Sequence, residues 1–156
     1  MIVFAEIQQL LDRNRCPYTA EDHKPTPRSI DASRVRGTPI EQGAKAIVLR
    51  SSGSFLLCVL PGNKTIDFKK VRLLINAKSL SLATPEEVKQ VTSCVIGSVP
   101  PFGRIFNIPA YIEKSILRNE YISFNAGMLT RSITMKTEDY IKIARGKIEE
   151  FAAYKS

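Results

Sequence analysis

The chain has a single histidine, His23, and three cysteines, Cys16, Cys58 and Cys94. One histidine excludes a multi-histidine metal site and any pair of histidines working together, so a catalytic triad could be built only on His23. The cysteines are far apart, odd in number and form no Cys-x-x-Cys pair, which argues against a zinc site or a disulfide framework. Cys58 lies in an apolar run and reads as core. Cys94 borders a glycine/proline loop and reads as a buried, inert thiol. No cluster of histidine, cysteine and carboxylate has ligand spacing, so neither a metal nor another cofactor is expected. No apolar run approaches the roughly 20 residues that span a bilayer, so no membrane partner is expected. The opening Met1-Ile2-Val3-Phe4-Ala5-Glu6 has no charged n-region and no long apolar core, so no secretory leader is expected. There is no Gly-x-Ser-x-Gly and no Walker A motif. Internal repeats, linkers and low-complexity stretches are also missing.

What remains is a soluble globular composition, 44% hydrophobic and 24% charged over 156 residues. That length suits one domain, 1–156, with a sizeable core that needs no staples. The net charge is +8 and the pI near 9.6. This balance favours a polyanionic partner such as nucleic acid, although a merely basic soluble protein would have it too. The basic residues form no tail, so any positive surface must be assembled by folding.

Helical spacing of Phe4, Ile7, Leu10 and Leu11 predicts a helix from Ile2 to about Asn14, ended by Cys16-Pro17. Tyr18 to Glu21 reads as a short strand, and Asp22 to Arg28 as a loop stiffened by Pro25 and Pro27. A short helix over 29–36, capped by Ser29 and stopped at Gly37, comes next. Thr38-Pro39-Ile40-Glu41 has the form of a capping box that opens a second one. Ala46–Arg50 and Phe55–Leu60 form the clearest hairpin, with Lys45 at its entry. Both runs are continuously apolar, which predicts central strands covered on both faces. A helix over 67–75, with Phe68, Val71, Leu74 and Ile75 inward, precedes a short strand at 79–82. Thr84-Pro85-Glu86-Glu87 is a further capping box, opening a helix to about Val91. Strands are expected at 110–112, 121–124 and 132–135, with a helical turn near 114–117. Thr137 is read as the cap of a final helix running to about Ala153. Interleaved strands and helices with one clear hairpin indicate an α+β fold around a mixed, largely antiparallel sheet.

The stretch from Val91 to Gly103 carries the strongest hint of a site. It reads as a strand, Cys94 to Ile96, running into a loop pinned by Gly97, Pro100, Pro101 and Gly103. Glycine permits close backbone approach and proline fixes φ, so such a loop holds its shape. Its exposed N–H groups can hold an anion or a developing oxyanion. An ordinary tight connection would leave the same signal.

With these elements placed, the sequence resembles the YbaK/prolyl-tRNA editing-domain family of aminoacyl-tRNA deacylases. The resemblance is carried by Gly43-Ala44-Lys45-Ala46-Ile47-Val48-Leu49, by Leu60-Pro61-Gly62-Asn63-Lys64 with Asp67-Phe68-Lys69-Lys70-Val71, by Ala83-Thr84-Pro85-Glu86-Glu87-Val88 with Gly97 to Gly103, and by Phe124-Asn125-Ala126-Gly127. It departs from the family pattern at Ala46, at Thr92-Ser93 and at Met128-Leu129-Thr130-Arg131, positions that bear on which amino acid is removed. The resemblance implies hydrolysis of the ester of a mischarged tRNA in trans, on tRNA-Pro or a related tRNA, in the cytoplasm. It implies the charged tRNA 3′ end as partner and allows an aminoacyl-tRNA synthetase as a second. Lys45, Gly97, Ser98 and Gly103 are then the expected catalytic positions. His23, Thr26, Lys45, Pro101, Phe102, Asn125, Ala126 and Gly127 are the expected substrate contacts. A non-catalytic tRNA-binding module of the same fold and a general basic nucleic-acid binder remain the alternatives.

Overall fold

The computed structural model describes residues 2–154. In chain order the elements are α1 (Ile2–Arg13), β1 (Tyr18–Asp22), α2 (Ser29–Arg36), β2 (Ala44–Ser51), β3 (Ser54–Pro61), β4 (Lys64–Ile66), α3 (Phe68–Ile75), β5 (Ser81–Leu82), α4 (Pro85–Thr92), β6 (Ala110–Glu113), β7 (Tyr121–Asn125), β8 (Arg131–Lys136), α5 (Thr137–Ala144), β9 (Lys147–Glu149) and β10 (Ala152–Tyr154). A five-stranded sheet has the order β5-β2-β3-β6-β9, antiparallel from β5 to β3 and parallel from β3 to β9. A three-stranded antiparallel sheet has the order β1-β8-β7, and β10 pairs with β4. The expected α+β class with a mixed sheet is observed.

Period-2 alternation explains why β3 sits at the centre. Leu57 and Val59 face the main core with Val48, Ile112, Phe124, Phe102, Tyr140 and the apolar stripe of α1. Leu56, Cys58 and Leu60 face a second core with Leu49, Val71 of α3 and Phe151. β3 is therefore covered on both faces, as its unbroken apolar run predicts. β2 differs from the expectation, because residues 45–47 are only half-buried. Its outer edge is paired by β5 only at Leu49 and Arg50, and a single bridge joins Gly43 to Ser123 of β7.

Several expectations are corrected. Cys94–Ile96 is not a strand. α4 runs to Thr92, Ser93 closes it in the left-handed conformation with its N–H on the Lys89 carbonyl, and the chain then turns, Ser98 N–H to Val95 carbonyl. Val95 and Ile96 are left 52% and 55% exposed, so this apolar pair is surface. The Thr38 capping box does not form. Only a 3-10 turn over Ile40–Gln42 follows, and the buried Thr38 hydroxyl has no partner. Ser29 is the first helical residue of α2 rather than its cap, and Thr137 likewise opens α5 with a buried, unpartnered hydroxyl. Leu74, expected inward, is partly exposed. The last helix stops at Ala144, because Arg145 turns left-handed and Gly146 passes directly over Ile112. The chain there returns as β9 and β10, which the helical reading concealed. By contrast, the Thr84 capping box is complete, with Thr84 and Glu87 bonding each other's backbone.

Candidate active site

A cavity of about 220 Å³ opens at the free edge of β2. Its walls are the 26–28 segment and α2, Gly43 with residues 44–48 of β2, and Ile96, Gly97 and Val99 with Phe124 and Asn125. The charged residues lining it are Arg28, Arg36 and Lys45, with no carboxylate among them. Such a wall suits an anion or a developing oxyanion.

Lys45, on the same face of β2 as Ile47 and Leu49, lines the cavity at the strand's open end. Its Nζ donates to the Gly62 carbonyl at 3.4 Å, and Gly62 in turn packs against Ser29 of the cavity wall. Gly62 N–H bonds the Gly43 carbonyl at 2.9 Å, so the pairing phase of the hairpin directs residues 43, 45 and 47 toward β3. Residues 44, 46 and 48 then direct their main-chain groups to the open edge. Val48 uses its carbonyl there, accepting from Ala83 N–H.

Gly97 faces this edge from across the cavity. It holds φ at +90°, and an added Cβ would lie 3.0 Å from the Pro27 carbonyl oxygen. Its own carbonyl accepts from Asn125 Nδ2 at 2.8 Å, and the Ser98 carbonyl accepts from Gly127 N–H at 2.9 Å. Ser98 N–H is spent on the turn. Among the described residues, the N–H groups of Gly97 and Val99 have no hydrogen-bond partner, and both residues line the cavity. These N–H groups, and that of Ala46 at the open strand edge, are donors that an oxyanion in the cavity can use.

Of the expected site residues, the cavity brings together Thr26, Lys45, Gly97 and Asn125. The others lie outside its lining. Ser98 is fully buried, its hydroxyl on the Val95 carbonyl. Gly103 opens a 3-10 turn where a Cβ would meet the Ile108 carbonyl at 2.6 Å, so it is a packing glycine. Phe102 is core, edge-on to both Phe124 and Tyr140. The Pro101 carbonyl accepts from the buried Tyr140 hydroxyl at 2.6 Å. Ala126 is buried, with its N–H on the Arg131 carbonyl, and Gly127 packs over Val3. His23 is outside the cavity lining, its ring between the Lys24 carbonyl (2.8 Å) and Ser132 Oγ (2.7 Å). The thiol of Cys94 is pushed up by burial and so is a poor nucleophile.

Arg36 is the principal residue that sequence reasoning missed. It ends α2, where a basic side chain reads as a partner of the helix dipole in solvent. Here its Nε donates to Ser132 Oγ at 2.8 Å and its Nη2 to Asn125 Oδ1 at 3.1 Å. Desolvation pushes its pKa down to about 10, with Glu21 opposing the shift, so the guanidinium stays charged near neutrality. The available signal is the small pair Ala32-Ser33, which is buried and marks the inward face of α2. Val99 lies inside the Gly97–Gly103 loop whose N–H groups are expected from the sequence to hold an anion, although it is not among the site residues named there.

Residues 23–143 match the model of the aminoacyl-tRNA editing domain. A multifunctional Ser/Thr-tRNA deacylase, ProXp-y, from Escherichia coli (strain K12) is 32% identical over 151 residues, covering 91% of this chain and 88% of that protein. A proline–tRNA ligase from Geobacillus sp. (strain WCH70) is 34% identical over 83 residues, which is 52% of this chain and 14% of the ligase. Among solved structures, a candidate trans-editing enzyme for prolyl tRNA synthetase superposes with a TM-score of 0.84 at 21% identity, covering 97% of both chains.

Proposed function

The chain belongs to the aminoacyl-tRNA editing domain family and is an aminoacyl-tRNA deacylase, a hydrolase of the ester joining an amino acid to tRNA, and we propose that it performs this reaction in the cavity beside β2. The observation that carries this placement is that Lys45 lines the same cavity as Gly97 and Val99, whose N–H groups have no partner among the described residues. An aminoacyl ester is already activated, so positioning and oxyanion stabilisation supply most of what hydrolysis needs. Water adds to the ester carbonyl carbon, and the carbonyl oxygen becomes the oxyanion received by Gly97 and Val99 N–H. The tetrahedral intermediate then collapses with cleavage of the bond to the ribose oxygen, which takes up a proton. The products are a free amino acid and a tRNA with its terminal hydroxyl restored. Lys45 acts as a point charge beside the carbonyl and the terminal nucleotide. A substrate hydroxyl, the terminal ribose 2′-OH or one on the amino acid, orients the water.

The substrates proposed are seryl and threonyl esters on tRNA. The similarity to a Ser/Thr-tRNA deacylase over most of both chains supports this, as does a cavity of about 220 Å³, which fits a small side chain. The similarity to a short segment of proline–tRNA ligases supports tRNA-Pro among the acceptors and a synthetase as a working partner. We place the enzyme in the cytoplasm as one editing domain over 1–156. No described helix is long and apolar enough to cross a membrane. The test is hydrolysis of a panel of seryl-, threonyl-, alanyl- and prolyl-tRNAs. Loss of the seryl and threonyl esters is expected. Tight tRNA binding without hydrolysis of any ester would make the chain a non-catalytic module.

A further inference from the structure

Arg36 is a half-buried cation with no carboxylate within ion-pair distance among the described residues. A desolvated charge without a counter-ion is costly unless its hydrogen bonds are well made, so what it binds is informative. Its fork grips Ser132 Oγ and Asn125 Oδ1. Ser132 Oγ is fixed in turn by His23. A carbonyl only accepts, so His23 Nδ1 carries a proton toward Lys24, and in the neutral ring Nε2 accepts from the Ser132 hydroxyl. The Asn125 amide, oriented by the guanidinium on its oxygen, must present its NH2 the other way. Nδ2 bonds the Gly97 carbonyl at 2.8 Å and the Thr26 carbonyl at 3.3 Å. Those two carbonyls belong to the 26–28 and 96–99 segments, which pack side by side in the cavity wall. Arg36 thus reaches Gly97 through one amide.

We propose that Arg36 is a positioning residue for deacylation, which through Asn125 fixes the 97–98 peptide unit, the unit between the two peptide planes that carry the N–H donors of Gly97 and Val99. The proposal rests on the placement of the reaction in this cavity. Asn125, expected from the sequence to touch substrate, has both ends of its amide committed to the protein and acts on the loop. His23 has the same indirect role, as the anchor of Ser132.

The informative substitution is Asn125→Asp. A carboxylate still accepts from Arg36, so the partner of the buried cation is kept. It cannot donate to the Gly97 and Thr26 carbonyls and repels both. If these contacts serve only to satisfy the interior, this variant keeps the wild-type kcat in its folded fraction. If the chain of contacts aims the loop, kcat falls about 10–100-fold, the scale of a small misplacement of reacting groups, while KM changes little. Hydrogen exchange in the 97–99 segment, read at the Ser98 amide that is bonded to Val95, then accelerates in protein that remains folded. Arg36→Lys is the second variant. One ammonium cannot bond Ser132 and Asn125 as a fork does, so it should lie between Asn125→Asp and wild type in both readouts. It decides the matter if Asn125→Asp fails to fold. Wild-type kcat in the folded variants, or a fall in kcat with exchange at 97–99 unchanged, overturns the proposal. Should wild-type protein deacylate nothing, the functional placement falls by itself, and the exchange measurement alone decides whether Arg36 holds the loop.

Discussion

Glycines show most clearly how residue type divides between chemistry and scaffold here. Gly97 and Gly103 both lie in the Gly/Pro stretch and look equivalent in the sequence. Gly97 sits at φ +90° on the cavity wall, opposite Pro27. Gly103 is buried under Ile108 and Ala110, where a Cβ would meet backbone oxygen at 2.6 Å. Gly97→Ala should therefore lower deacylation strongly, because it strains the donor loop and narrows the cavity. Gly103→Ala should lower stability by roughly 1–3 kcal/mol, the usual cost of overpacking, with activity falling only as folded protein is lost. Urea unfolding beside single-turnover deacylation separates the two. Equal losses of stability for both would contradict this division. The sequence could mark both glycines as special, but not say which neighbours they meet, because those neighbours are distant in the chain. Arg36 was hidden for the same reason, since its partners Ser132 and Asn125 come from other elements.

Elements with a strong local signal were legible, and those defined by distant partners were not. The apolar hairpin β2-β3 and the capping box of α4 need only their own residues, and both were readable. The strands β4, β9 and β10 are short and exist because each finds a partner, so periodicity does not reveal them. What holds the returning chain is Glu113, at the end of β6. Its buried carboxylate accepts from Ser115 and from the N–H groups of Phe151 and Ala152, at 3.3 and 3.4 Å. Burial pushes this carboxyl up, but the hydrogen bonds outweigh it and hold the group below its ordinary value. A carboxyl with a lowered folded pKa stabilises fully above its unfolded pKa and loses that contribution as pH falls through the folded one. Glu113→Ala leaves several buried donors without a partner and should cost about 1–3 kcal/mol at neutral pH. The cost should shrink as pH falls through the lowered folded value. Chemical unfolding of both proteins across acidic pH reads this, and a difference independent of pH would contradict it.

At the scale of the molecule, the net charge of +8 and the basic residues of the cavity wall are what the proposed placement of a tRNA end there requires. Phosphate contacts release counter-ions, so tRNA affinity should fall steeply as salt is raised. A flat response over a salt series would mean that the charge is not used for RNA. Charge and family likeness could be read before the fold was known, whereas the cavity exists only where α2, β2 and the 96–99 segment meet. The most direct measurement of the whole account is the rate of ester hydrolysis on seryl- and threonyl-tRNA by wild type and Lys45→Ala, compared at equal folded concentration. Loss of one charge-assisted contact in the site should cost on the order of 2–4 kcal/mol of transition-state stabilisation, so the variant should retain only a small fraction of the wild-type rate. A Lys45→Ala protein that hydrolyses these esters at close to the wild-type rate would contradict the account at its centre.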